Sequence, residues 1–173
     1  ERLEETVREM FSEYETARID LDTVRKKGEL TKKLKAFKDG VTDILIGTQL
    51  IAKGLDFRNV GLSGIVSADV SLNIPDFRSA ERTFQLITQA AGRAGRGDDA
   101  GSVIVQTYNP DNYAVKFAAS QDYEGFYKTE MQLRKFLVYP PYSDLFQIVF
   151  TSKSEENARK GAEAWYEKIR ERL

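Results

Sequence analysis

Residues Thr42–Thr48 read TDILIGT, a short apolar run that closes on a Gly-Thr pair. A continuous apolar run of this length, bounded by turn residues, is the pattern of a strand buried on both faces, as in a parallel sheet. NVGLSGIVSA (Asn59–Ala68) and GSVIVQTY (Gly101–Tyr108) repeat the pattern, and TARIDLD (Thr16–Asp22) is a shorter β-like alternation. Helical spacing fills the intervals. Leu3, Val7, Met10, Phe11 and Tyr14 predict an amphipathic helix over 2–14. Leu30, Leu34 and Phe37 predict a second, stopped by Gly40, and Pro75-Asp76 opens a long third one running to about Arg93. Strands alternating with helices predict an α/β domain with a mostly parallel sheet.

Past Asn109-Pro110 the pattern changes. Two helical stretches follow, Asp111–Ala119 and Asp122–Phe136, with no strand between them. YPPY (Tyr139–Tyr142) breaks the helix, because consecutive prolines favour extended backbone. LFQIVFTS (Leu145–Ser152) then predicts a strand, and Ser154–Leu173 a helix with Ala158, Ala162, Trp165 and Ile169 on one face. One strand and one helix do not make an independent domain. The expected organisation is an α/β domain over 1–110, a helical linker over 111–138 and the beginning of a partial α+β domain over 139–173. The chain starts at Glu1 already in helical pattern and without an initiator methionine, which predicts a piece of a longer protein.

With Lys+Arg at 26 against Asp+Glu at 27, the chain is almost neutral, so a nucleic-acid surface has to be a local patch. Cysteine and histidine are both absent. That excludes disulfides, Cys/His zinc sites, thiol nucleophiles and imidazole bases within the sequence. With no signal peptide and no apolar run of membrane-spanning length, a soluble cytoplasmic protein without a membrane partner is expected.

QAAGRAGRG (Gln89–Gly97) is the most informative stretch. On a helix turning about 100° per residue, Gln85, Gln89, Arg93 and Arg96 fall within about 80° of one another. Ala80, Phe84, Ile87 and Ala91 lie on the opposite side and can pack on the sheet. Gly92 and Gly95 remove side chains beside the arginines, so another surface can approach closely. Two guanidinium forks on an open face suit a polyphosphate, and an arginine finger stabilises charge on a transferred γ-phosphoryl group. The plainer alternative is a basic helix end that favours its own dipole. With glycine at roughly 7% and arginine at about 5%, G-R-x-G-R arises by chance in about one such chain in several hundred.

QAAGRAGRG resembles motif VI of the superfamily 2 helicases, Q-x-x-G-R-x-G-R. GTQLIAKGLDF (Gly47–Phe57) resembles their motif V, and the two stand in the family's order, separated by a strand and a helix. PDFRSAER (Pro75–Arg82) and YPPYS (Tyr139–Ser143) are similar to the replication-restart branch of these DNA helicases. The resemblance covers nearly the whole chain. It implies that 1–110 is the second RecA-like (P-loop NTPase-type) helicase lobe, the C-terminal lobe of an ATP-dependent 3′→5′ DNA helicase of bacterial cytoplasm that restarts stalled forks. Arg96 would be the arginine finger on ATP, Arg93 its companion and Gln89 a polar partner at the cleft. Gly47, Thr48 and Gln49 would meet the DNA backbone, while Gly54 and Asp56 would lie on the nucleotide side.

The same resemblance implies what else the parent needs. No G-x-x-x-x-G-K-[ST] and no DEx[HD] segment occur here, so ATP and Mg²⁺ would be held mainly by the first lobe, and this piece alone is expected to be inactive. Zinc would belong to the parent and not to this chain. The expected partners are single-stranded and forked DNA, the first lobe of the same chain, single-stranded-DNA-binding protein and primosome proteins. Two alternatives stay open: a superfamily 2 lobe acting on RNA or branched DNA, and a non-enzymatic DNA- or protein-binding module. Residue by residue, Thr48 and Asp56 can cap turns, and RKKG (Arg25–Gly28) can be a solvated loop or a phosphate contact. Asp76, Arg78, Glu81 and Arg82 fit an interlobe cluster or helix-start electrostatics. Tyr139, Tyr142 and Phe146 fit base stacking or burial against the last helix, and Trp165 reads as core.

Overall fold

In a computed structural model, the described residues are 2–20, 28–48, 60–92, 94 and 101–172. The chain divides into two compact units, 1–131 and 132–173.

The first unit opens with α1 (Arg2–Met10), whose Glu4 and Glu5 sit at the positive end of the helix dipole. β1 (Thr16–Ile19) follows, then α2 (Glu29–Lys38), then β2 (Ile44–Gly47). β1 and β2 pair in parallel, with Arg18 opposite Ile46 and Ile19 opposite Gly47. Ile19 is fully buried. Gly28 and Gly40, at φ 92° and 72°, start and end α2 in the left-handed region that glycine adopts without strain. Lys33 of α2 donates to the Arg18 carbonyl at 2.7 Å and ties the helix to the strand.

β3 (Leu62–Ile65), α3 (Asp69–Leu72), α4 (Ser79–Ala91) and β4 (Ser102–Val105) form a second parallel βαβ arrangement, β3 beside β4. The single turn α3 is not signalled by any periodicity. Its Asp69 carboxylate accepts from Thr107 Oγ1 at 3.1 Å and from the Tyr108 N–H at 3.0 Å, which fixes the end of β4. Every ladder among the described residues is parallel, as the alternation predicts. They form two two-stranded ladders rather than one sheet.

The core lies between α4, α5 (Tyr113–Ala119) and α6 (Tyr123–Phe136). Phe84 and Ile87 of α4 meet Ala114, Val115 and Ala118 of α5 and Phe126 of α6, with Ile65 and Val105 of the ladder beneath. Small residues on α5 let the backbones close, and each buried Phe or Ile contributes about 1.5–3 kcal/mol. Asn112 caps α5 by accepting the Ala114 N–H at 2.9 Å. Residues 111–131 thus pack into the first unit.

In the second unit, α7 (Glu155–Arg170) has no buried residue. The strand expected at Leu145–Ser152 does not form a ladder. A strand exists through its neighbours' N–H and C=O groups, and the described residues of this unit offer no second strand. Phe146 is 91% exposed and Trp165 is 52% exposed, so neither the expected burial of Phe146 nor a core role for Trp165 is realised. Phe150 instead approaches α7 at Gly161.

Candidate functional site

The end of β2 presents Gly47 and Thr48, both exposed, at the carboxyl edge of the β1–β2 ladder. In parallel α/β folds this edge is where ligands bind. A cleft of about 210 Å³ opens there. Leu3 and Ile46 supply its apolar wall, and Gly47 and Thr48 its floor. Glu4, Arg18 and Asp20 complete the lining.

Those three charges form one network. The Arg18 guanidinium pairs closely with Asp20, two residues on, and lies 3.6 Å from Glu4 of α1. Glu4 also pairs with Arg8 at 2.8 Å, and Arg8 donates to the Thr16 carbonyl at 3.4 Å. The hydrogen bond to Asp20, reinforced by Glu4, pushes Arg18 further above the usual arginine range. Sequence reasoning passed over Glu4, Arg18 and Asp20. The available signal was the i, i+2 spacing of Arg18 and Asp20, which puts both on one side of a strand.

Gln89 is exposed on the last turn of α4, opposite the buried Phe84 and Ile87, as the helical spacing predicts. The helix ends at Ala91, with the Gly92 N–H bonded to the Thr88 carbonyl at 2.9 Å. Arg93, Arg96, Gln49, Gly54 and Asp56 lie outside the described residues, as do Arg25, Lys26 and Lys27 of the basic loop. The structure therefore brings Gly47 and Thr48 into one cleft, which does not include Gln89.

At the start of α4, Asp76 gathers PDFRSAER into a local network. Its carboxylate accepts from Arg78 Nε and Nη2 at 3.1 Å each, from the Arg78 N–H at 2.9 Å, and pairs with Arg82 at 2.9 Å. Arg78 also lies over the Phe77 ring, 5.2 Å from its centroid. The hydrogen bonds from Arg78 hold Asp76 down at about 2. These contacts are those of a helix start. Among the described residues no group of three or more acidic side chains converges to hold a metal, and no helix is long and apolar enough to cross a membrane.

Parallel βαβ arrangements, a Gly-Thr turn at a strand's carboxyl end and a glycine-arginine string after a polar-faced helix together define a helicase-type lobe. The chain belongs to the family described as helicase conserved C-terminal domain, whose model matches residues 1–98. It is similar to the replication restart protein PriA of Bacillus subtilis, with 48% identity over 162 residues that cover 94% of this chain and 20% of that protein. Against the PriA of Treponema pallidum it is 46% identical over 164 residues, 95% of this chain and 25% of that protein. Against that of Thermotoga maritima it is 42% identical over 156 residues, 90% of this chain and 21% of that protein. The chain thus spans between a fifth and about a quarter of the length of these relatives.

Proposed function

We propose that the chain is the second lobe of an ATP-dependent 3′→5′ DNA helicase that restarts stalled replication forks in the bacterial cytoplasm. The observation that carries this reading is the pairing of GTQLIAKGLDF, opening on the exposed Gly47–Thr48 turn, with QAAGRAGRG at the end of α4. The similarity to replication restart proteins along nine-tenths or more of the chain supports it. The division into a lobe over 1–110, a helical linker over 111–138 and the start of a further domain from 139 belongs to the same proposal, with residues 111–131 of the linker packed into the compact unit of the lobe.

In this reading Arg93 and Arg96, which follow α4 in the sequence, act on the nucleotide of a facing lobe, and Gln89 is their polar partner at the cleft. Arg96 stabilises charge developing on the γ-phosphoryl group, as an arginine finger does. Thr48 donates to a DNA phosphate where the bare Gly47 backbone lets the strand come close, with Gln49 beside it. Gly54 and Asp56 link that grip to the nucleotide side. The described residues do not fit Mg²⁺, and the chain has no cysteine or histidine for zinc. In this reading both ions are held by the rest of the protein. Single-stranded-DNA-binding protein and primosome proteins are the proposed partners.

The test is DNA-stimulated ATP hydrolysis by the longer protein, wild type beside Arg96→Lys. Lysine keeps the charge but loses the planar fork. The expected fall in kcat is on the order of 10³ with nucleotide binding retained. Equal rates would reduce the glycine-arginine string to a helix end. The 173-residue chain alone is expected to show no turnover, and robust hydrolysis by it would overturn the reading.

A further inference from the structure

The cleft lined by Thr48 contains a cation that the motifs do not account for. Arg18 lines it together with Gly47 and Thr48, one strand away from them in the parallel register. Its guanidinium is anchored by Asp20, the residue just past the end of its own strand. The contact to Glu4, at 3.6 Å, is longer than the 2.7–2.9 Å typical of a charge-assisted hydrogen bond. Glu4 in turn keeps a close partner in Arg8 at 2.8 Å. Of these two contacts the one to Asp20 is the closer, and the looser one comes from α1.

Resting on the DNA-gripping role of Thr48, we propose that Arg18 is a second contact to the backbone phosphate at this cleft, and that Glu4 is its intramolecular competitor. An incoming phosphodiester carries one negative charge and can take the place of the Glu4 carboxylate beside Arg18, one anion for another. Release costs Glu4 little, because Arg8 still pairs with it. Asp20 keeps the guanidinium in place through the exchange. Nucleic-acid binding thereby loosens the attachment of α1 to β1, so that the grip is reported to the first helix of the chain.

The experiment measures binding of fluorescently labelled oligo-dT to the chain as a function of salt, for wild type, Glu4→Gln, Arg18→Gln, the double variant and Thr48→Val. Glu4→Gln is expected to tighten binding by about threefold, the worth of a partly exposed ion pair. Arg18→Gln is expected to weaken binding and to lower the slope of log K against log salt by about 0.7, the loss of one single-strand phosphate contact. In the Arg18→Gln background the gain from Glu4→Gln is expected to vanish. A gain cannot come from misfolding, which keeps the test sound if Arg18→Gln is destabilised. An equal gain from Glu4→Gln in both backgrounds, or an unchanged salt slope in Arg18→Gln, overturns the inference. If Thr48→Val still weakens binding in that case, the DNA reading stands without it. If no variant, nor the wild type, binds oligo-dT, both fall.

Discussion

The ring of Phe84 lies nearly flat on that of Phe126, with centroids 4.2 Å apart and planes 12° from parallel. The two residues come from different helices, α4 and α6, and both are buried. Tyr113 of α5 lies 5.9 Å from Phe126 in a similar orientation and extends the stack to a third helix.

Removing one ring from this stack opens a cavity that small neighbours such as Ala114 and Ala118 cannot fill. Phe126→Ala is expected to cost about 3–5 kcal/mol, and Phe126→Leu about 1.5 kcal/mol or less, read from urea midpoints. Equal costs for the two would show that the site collapses and that ring volume is not what matters.

Gly125 has no room for a side chain. A Cβ there would sit 2.3 Å from Asp122 Oδ2 and 2.4 Å from Phe117 Cε1. Alanine in a helix normally gains about 1 kcal/mol over glycine. Overpacking costs about 1–3 kcal/mol, and it also disturbs the 2.8 Å bond from the Gly125 N–H to Asp122. Gly125→Ala is expected to lower the denaturation midpoint, and a raised midpoint would count against the packing described.

Asp76 gives a pH signature. Its native pKa is depressed to about 2 from an ordinary 3.8, so its contribution to stability is present above about pH 4 and lost as pH falls through about 2. Asp76→Asn is expected to be less stable than wild type at neutral pH, with the difference closing as both approach pH 2. A difference that stays constant across this window would mean that Asp76 is not ionically held.

The packing of α5 and α6 on α4 predicts where a shortened protein can stop. A chain of residues 1–110 would leave Phe84 and Ile87 without the partners that bury them. It is expected to bind a hydrophobic dye and to unfold without a cooperative transition, whereas 1–131 retains one. Cooperative unfolding of 1–110 would show that the later helices are dispensable.

What the sequence revealed depended on how local the physics was. Phe84 and Ile87 were legible because helical periodicity alone decides which side of α4 turns inward. Gly47 and Thr48 were legible because an apolar strand ending in a Gly-Thr turn is a contiguous pattern. Glu4 was not, because its contact with Arg18 spans the turn between α1 and β1 and depends on how those elements pack. The docking of Val115 and Phe126 on α4 was hidden for the same reason: periodicity names a buried face but not its partner. Leu145–Ser152 misled because an apolar run encodes strand propensity, while a ladder needs a second segment to pair with.

Considered mechanically, the clamping of α4 by the Phe84–Phe126 stack makes the helix a strut rather than a spring. Its inner edge is seated against α5, α6 and the β3–β4 ladder, and close-packed interiors compress little. Its outer edge carries Gln89 and leads into the glycine-arginine string. A load applied at that end would pass along the helix into the β3–β4 ladder beneath it, with little of it taken up in bending.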